Sequence, residues 1–338
     1  MGTINLKLVL IILLAIIIGG LLGSIITKEI SKRESPTRWL EKESATSAPF
    51  LQADPTQLLN DLYDKEQDLF KMSKDSPASI EATYCAAAIH GERSKELDLN
   101  QVANIDEMFN KIRSYYTAPG YYLEKGKDSV SSTWMALEID SYFPQNLEQE
   151  IDLNWLKSNS LENENLEESK LDPQYQRDIL EIYRYLPLDQ KEVKTRITPV
   201  YLNYYCNYKS QEISDEDYLR KKYYQTSIIN YLTGSRDTSA PRLCLKEEDI
   251  ETDKDRLNKI SFSDLSDIKE VYWLYDLKKI YNLRPDLREF FTRVGDFYFN
   301  KVFKEKLSDK EPNLIGTLYG MRCGPLYSSY IQAIKKQQ

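Results

Sequence analysis

A threonine set in a run of apolar or small residues returns down this chain, and its spacing restricts the fold more than any other feature. Ile80-Glu-Ala-Thr83-Tyr-Cys-Ala, Val130-Ser-Ser-Thr133-Trp-Met-Ala, Tyr223-Tyr-Gln-Thr226-Ser-Ile-Ile and Leu314-Ile-Gly-Thr317-Leu-Tyr-Gly share it. The threonines lie 50, 93 and 91 residues apart. The two longer gaps are about twice forty-six, so intermediate copies are due near 179 and 271. Ile268-Lys-Glu-Val271-Tyr-Trp-Leu fits the second place, and Gln176-Arg-Asp-Ile179-Leu-Glu-Ile fits the first weakly. One further helix between each pair of copies, and one from Asp54 before the first, make six helix pairs. A helix pair cannot bury both its faces alone, so repeated pairs stack. They stack as an open solenoid or close into a ring with one helix of each pair inside. The expectation is an all-α domain, an α/α toroid of about six helix pairs, with an open α-solenoid as the alternative.

Breakers and caps place the helices. Asp54-Pro55 opens one that runs to about Met72, Ser76-Pro77 opens the next, and Asn100 caps a third. Residues 130–143 are helical and Pro144 stops them; 146–158 are amphipathic. Asp172-Pro173 opens a helix to Leu186. Helices are then expected at 191–209, 214–232, 247–259, 263–281, 285–303, 312–323 and 326–336. Residues 117–120 read as a turn, and the acidic stretch 159–170 as a solvated insertion. Strand-period alternation is rare and no Asn-Gly hairpin turn occurs.

Residues Leu8–Thr27 form a run of twenty without a charge. As a helix it spans about 30 Å, the thickness of a bilayer core. It reads as an uncleaved single-pass anchor: only Lys7 marks a basic start, and no Ala-x-Ala site comes after it. Residues 1–7 are then a tail, 8–27 the transmembrane segment, 28–49 a Ser/Glu/Lys-rich linker and 50–338 the helical domain. Ala15, Gly19 and Gly23 share one face, which permits a homodimer in the membrane. Lys28, Lys32, Arg33 and Arg38 favour a cytoplasmic domain by positive count. The short tail instead favours a signal-anchor that exports the domain behind it, and the expectation leans that way.

The net charge of −8, with no basic cluster, speaks against nucleic acid as a partner. Cysteines 85, 206, 244 and 323 are far apart, so zinc knuckles and redox pairs have no support, although two disulfides are permitted. His90 is the single histidine and no partner motif surrounds it. Neither a phosphate-binding glycine loop nor a nucleophile elbow is present. No metal and no cofactor are expected.

Ser79–Gly91, then Gly120-Tyr-Tyr, then Ser131-Ser-Thr-Trp-Met-Ala-Leu137 resembles the repeats of the terpenoid cyclase and protein prenyltransferase toroids. Those run from a Ser/Thr-aromatic-Ala inner helix through an outer helix and a Gly-aromatic turn to the next inner helix. The resemblance is clearest over 80–140 and fainter over 265–323. It implies the toroid fold and no activity. The cyclases' Asp-x-Asp-Asp acid and Gln-x-x-x-Gly-x-Trp repeats are missing, and so is the prenyltransferases' Asp-x-Cys zinc pair.

A toroid has a central cavity, expected to open where the inner helices' N-termini gather. Tyr84, Trp134, Tyr224, Tyr272, Trp273 and Tyr319 sit at or beside the repeated threonine position and would line it. Such a cavity suits a hydrophobic or glycan ligand. Glu81, Glu138, Glu181 and Glu270 would supply carboxylates near the rim. Arg322 would bind an anionic group or cap the C-terminus of its helix. The expected ligand-binding set is Glu81, Tyr84, Trp134, Tyr224, Tyr272, Trp273, Tyr319 and Arg322, with no catalytic residue assigned. The expected role is a membrane-anchored, non-catalytic ligand- or partner-binding module. The alternatives are an enzyme for glycan or isoprenoid substrates on the same scaffold, or a helical-repeat scaffold for protein partners.

Overall fold

The computed structural model describes residues 53–92, 97–118, 120–208, 214–234 and 244–336. The expected anchor Leu8–Thr27, its Ala15, Gly19 and Gly23, and the linker 28–49 lie outside the described residues. Among those described, no helix is long and apolar enough to cross a membrane.

The described chain is helical apart from three hairpins of two-residue strands. Six helices alternate with six others. The first of each pair are α1 (Thr56–Leu62), α3 (Ile105–Arg113), α5 (Leu153–Asn159), α7 (Gln190–Tyr205), α9 (Glu247–Lys259) and α11 (Leu287–Asp296). The second are α2 (Ile80–Glu92), α4 (Ser129–Tyr142), α6 (Pro173–Tyr185), α8 (Asp215–Thr233), α10 (Ile268–Ile280) and α12 (Leu314–Lys336). The even-numbered helices touch in order, α2 on α4 and so on to α12, and α12 returns to α2. Their contacts close a cycle of six.

Composition explains which helices lie inside. α2 is apolar on most of its circumference and buries Ile80, Ala82, Cys85, Ala86, Ala87, Ala88 and Ile89. Small side chains there let α4 and α12 pack on both flanks. α3 and α11 each bury one stripe instead, Met108, Phe109 and Ile112 in one and Phe290, Phe291 and Val294 in the other. Aspartates and serines start the inner helices. Asp128 accepts from Ser131 N at 2.8 Å, Asp172 from Gln174 N at 2.8 Å and Ser214 from Asp217 N at 3.1 Å.

The expected helix boundaries fail where hairpins form. The helix from Asp54 stops at Leu62, because the Asp64 carboxylate accepts from Glu66 N and Gln67 N and turns the chain. Strands β1 (Tyr63–Asp64) and β2 (Leu69–Phe70) follow. The expected turn at 117–120 falls at the hairpin of β3 (Tyr116–Thr117) and β4 (Tyr121–Tyr122), where Gly120 N donates to the Thr117 carbonyl at 2.7 Å. The expected helix 285–303 ends at Asp296 and gives way to β5 (Tyr298–Phe299) and β6 (Val302–Phe303). Asn300 and Lys301 form that two-residue turn with φ of 49° and 68°. This is the left-handed pair that a tight hairpin needs. Asn104, not Asn100, caps α3.

The two helices expected on either side of Pro325 are one, α12. Its continuation is held by Tyr327 and Tyr330, whose rings lie 5.0 and 5.4 Å from that of Phe291. Gly316 is required where α12 passes the hairpin: a Cβ there would sit 2.3 Å from the Lys304 carbonyl carbon. The 159–170 stretch is tethered rather than solvated throughout. Glu162 pairs with Arg196 at 2.8 Å and accepts the Tyr183 hydroxyl at 2.7 Å, while Asn159 and Ser160 are buried.

Candidate functional site

The repeated position sets which side chains meet inside the cycle. Take Thr83, Thr133, Ile179, Thr226, Val271 and Thr317 as origins. Residues two before and one, two and five after each origin share one helix face, since about 3.6 residues make a turn. That face of five helices walls a cavity of about 190 Å³. α2 contributes Tyr84, and α4 contributes Trp134 and Glu138. α6 contributes Arg177, Leu180 and Glu181; α12 contributes Tyr319 and Arg322. α8 contributes Tyr224, Ser227, Ile228 and Tyr231, with Tyr223 one place off the rule.

Rings form much of the wall. Tyr84 lies 5.1 Å from Trp134 between centroids, and Tyr223 stacks on Trp273 at 5.8 Å. Two guanidiniums stand among them. Arg177 lies 4.9 Å over the Trp134 ring and 3.4 Å from both Asp178 and Glu181. Arg322 lies 5.6 Å over Tyr319 and 3.6 Å from Glu92. They line the cavity with 28% and 29% of their side-chain surface uncovered. A guanidinium carries five N–H donors, so each keeps some for a ligand.

Two carboxylates share the lining with them. Glu138 accepts the hydroxyls of Tyr185 and, at 3.5 Å, Tyr142. Glu181 is held by Arg177 and by Arg184 at 3.2 Å. The lining therefore carries equal numbers of positive and negative groups. Behind it, burial pushes the Asp178 carboxyl up to about 7 against the pull of Arg177. Burial also lifts Asp276 to about 6, with Lys279 and Arg322 pulling the other way.

Trp134 Nε1 and the Tyr231 hydroxyl have neither a hydrogen-bond partner nor contact with solvent. An unpaired buried polar group costs roughly 1–3 kcal/mol. The wall thus holds unused bonding capacity.

Of the expected binding residues, Tyr84, Trp134, Tyr224, Tyr319 and Arg322 line this one cavity. Tyr272 and Trp273 stand behind it, Tyr272 edge-on to Tyr319 at 5.5 Å and Trp273 against Tyr223 and Tyr224. Glu81 is not in the wall. It pairs with Lys127 at 2.5 Å near the N-terminus of α2. Glu270 is buried outside the wall, and burial, then Asp267 and Glu216, push its carboxyl up to about 7. Arg322 does not cap a helix end, because α12 runs on to Lys336. The cavity is not confined to the end where the N-termini gather. It runs from the second turns of α2, α6 and α12, at Tyr84, Arg177 and Tyr319, to the later turns of α4, α6 and α8, at Glu138, Glu181 and Tyr231.

Arg177, Tyr223, Ser227 and Tyr231 were not expected. The signal for three of them was the repeat itself, read at two before, one after and five after the origin. His90 is structural: its Nδ1 lies 2.8 Å from the Leu97 carbonyl and its ring stacks on Phe143. Cys206 and Cys244 form a disulfide, while Cys85 and Cys323 are buried thiols. Among the described residues, no group of three or more His, Cys, Asp or Glu is placed to hold a metal ion. No protein-family model, curated protein or solved structure matches this chain.

Proposed function

We propose that this chain is a single-pass, membrane-anchored α/α toroid whose centre binds a small polar ligand carrying a ring. The closed cycle of even-numbered helices supports a toroid over an open solenoid. The single observation that carries the binding reading is the central cavity, where aromatic faces, two guanidiniums and two carboxylates meet around empty space. Its volume is about 190 Å³. Pockets for drug-sized ligands hold roughly 300 to 1000 Å³. The smaller volume argues against a prenyl chain or lipid. The uncharged run Leu8–Thr27 supports the anchor. The Cys206–Cys244 disulfide supports an extracytoplasmic domain, since such bonds persist in oxidising compartments.

The test is a thermal-shift screen of the full chain in detergent against small cyclic polyols, monosaccharides and ring-bearing acids. At least one compound raises the Tm of the wild type and not that of Ser227→Leu, in which a larger side chain occupies the cavity. A screen with no compound that separates the two proteins overturns the binding reading. Protease protection of residues 50–338 in intact cells would overturn the extracytoplasmic placement.

A second reading, an enzyme on the same scaffold, has one observation in its favour. Glu138 and Asp276 are each five residues past their origin, on helices α4 and α10, which stand three steps apart in the cycle of six. Glycan cleavage uses such an acid–base carboxylate pair, and the Asp276 carboxyl near 6 is poised for proton exchange. Release of nitrophenol from aryl glycosides, lost in Asp276→Asn, is the expected result for an enzyme. No release from a full panel of configurations removes this reading.

A further inference from the structure

We infer that the ligand of the central cavity is a single pyranose-sized sugar residue. This rests on the binding reading above and adds the chemical class. Size comes first. A dry cavity of about 150 Å³ holds benzene. The cavity here, about 190 Å³, holds one six-membered ring with its substituents. The second ring of a disaccharide would lie outside it.

Charge then narrows the class. Arg177, Arg322, Glu138 and Glu181 all reach the lining, Arg177 and Glu181 as a pair on α6. A bare anion meets two carboxylates, and a cation meets two guanidiniums. An apolar ring would cover the N–H groups and lone pairs that the existing ion pairs and hydrogen bonds of these four residues leave over, which is costly. A polyol meets none of these objections. Each hydroxyl both donates and accepts, so vicinal hydroxyls pair with guanidinium N–H groups and carboxylate oxygens together. Charge-assisted bonds of this kind are about twice as strong as neutral ones.

Shape supplies the last constraint. A pyranose has a face of C–H groups, which packs on the electron-rich face of an aromatic ring. Tyr84 and Tyr224 bring rings to the lining, while Arg177 already lies over Trp134. The unpaired Trp134 Nε1 and Tyr231 hydroxyl add bonding capacity for the remaining sugar oxygens.

The ligand is a free monosaccharide or the terminal residue of a glycan, and the two present the same ring. The experiment is saturation-transfer NMR and titration on the full chain in nanodiscs. The probes are methyl pyranosides of the common configurations, disaccharides ending in the same residue, and cyclohexanol and benzoate as ring controls. At least one pyranoside binds, and Trp134→Phe, which keeps a ring and removes Nε1–H, weakens it about tenfold. Ser227→Leu abolishes the signal. Equal binding of the disaccharide identifies a glycan end; its failure beside a bound pyranoside identifies the free sugar. If cyclohexanol or benzoate binds in a Ser227-dependent manner and no pyranoside does, the sugar assignment is overturned while the binding reading stands. If nothing binds, both fall.

Discussion

The two halves of the cycle hold their inner helices in different ways. Around α12, α2 and α4, each inner helix is preceded by a hairpin, and the repeated threonine receives it. Phe70 N donates to Thr83 Oγ1 at 3.0 Å, Tyr122 N to Thr133 Oγ1 at 3.0 Å and Phe303 N to Thr317 Oγ1 at 3.2 Å. Each hairpin also carries a cross-strand aromatic pair, a contact that stabilises strand pairing. Tyr63 meets Phe70 at 5.2 Å, Tyr116 meets Tyr122 at 5.6 Å and Tyr298 meets Phe303 at 5.3 Å. Around α6, α8 and α10 no hairpin occurs among the described residues, and long polar side chains reach back to the connection instead. Gln176 donates to the carbonyls of Asn159 and Lys170 and accepts from Leu161 N and the Tyr201 hydroxyl. Gln225 donates to the Tyr205 carbonyl at 2.7 Å, and Lys278 to that of Ile260 at 3.0 Å. The same accounting of buried backbone groups is met by a compact local motif in one half and by single side chains in the other.

Concentrating four bonds on one amide makes the second half more fragile. Gln176→Leu leaves three backbone groups and a tyrosine hydroxyl without partners, at a cost of about 4 kcal/mol. Thr133→Val, its counterpart in the hairpin half, removes only the two bonds to the N–H and carbonyl of Tyr122. Urea denaturation measures both, and the contrast breaks if Thr133→Val costs as much as Gln176→Leu.

Electrostatics separates the halves again. The carboxyls pushed up to about 6 or 7 are Asp178 on α6 and Glu270 and Asp276 on α10. A carboxyl whose folded pKa is raised binds its proton more tightly in the folded state. Its contribution is complete below the unfolded value near 4 and is lost as pH rises through the folded value. For Asp178 the window runs from 3.8 to about 7. A shift of that width corresponds to on the order of 4 kcal/mol. Wild type should therefore lose stability between pH 4 and 8 relative to Asp178→Asn, measured by urea midpoints at each pH. A parallel pair of curves would remove Asp178 as the source.

The disulfide belongs to the same half and spans α8, with Cys206 and Cys244 separated by 38 residues in sequence. Closing a loop of that length stabilises by about 4 kcal/mol in the chain-entropy treatment, and observed values run from about 2 to 4 kcal/mol. The Cys206→Ser/Cys244→Ser double variant should lose about 3 kcal/mol. Hydrogen exchange should quicken in α8 and its neighbours before α2 and α12. Equal loss of protection around the whole cycle would show that the halves do not open separately.

The sequence showed the origins of the repeat but not how each one is used. Thr83, Thr133 and Thr317 stand out because a β-branched hydroxyl inside an apolar helix needs a nearby partner. That partner, the strand amide before it, is invisible in sequence, since a two-residue strand has too little length to show alternation. The hairpin residues Tyr63–Phe70 and Tyr298–Phe303 therefore read as helix, their apolar residues falling at helical spacing by coincidence. In the other half the origins are faint because Ile179 and Val271 carry no hydroxyl, and Gln176 and Lys278 replace it from other turns. The cavity is legible at Tyr84, Trp134, Tyr224 and Tyr319, although Tyr272 and Trp273 stand beside an origin too and lie behind the wall. Arg177 and Tyr231 are reached only by carrying the register two back and five on, against the usual placing of a charged or polar residue on the solvent side. Only closure of the cycle turns those faces inward.

The smallest test asks whether one residue type does different work in the two halves. The Thr226 hydroxyl donates to the Lys222 carbonyl at 2.7 Å, four residues back in its own helix. That carbonyl keeps its place in the helix when the hydroxyl is gone, and valine fills the same volume. Thr226→Val should cost no more than about 0.5 kcal/mol, the low end for a hydrogen bond. Thr83→Val and Thr317→Val should each cost about 1.5 kcal/mol, because a buried strand amide is then left unpaired. Those amides are Phe70 N and Phe303 N. The comparison is clean because all three threonines are buried, at 0% or 2% exposure, and all occupy the same place in the repeat. Urea midpoints at unchanged m-value resolve a difference of this size. A Thr226→Val cost equal to the other two would mean that the threonine is held by helix packing alone. The hairpins would then be ornament on the cycle rather than its fastening in that half.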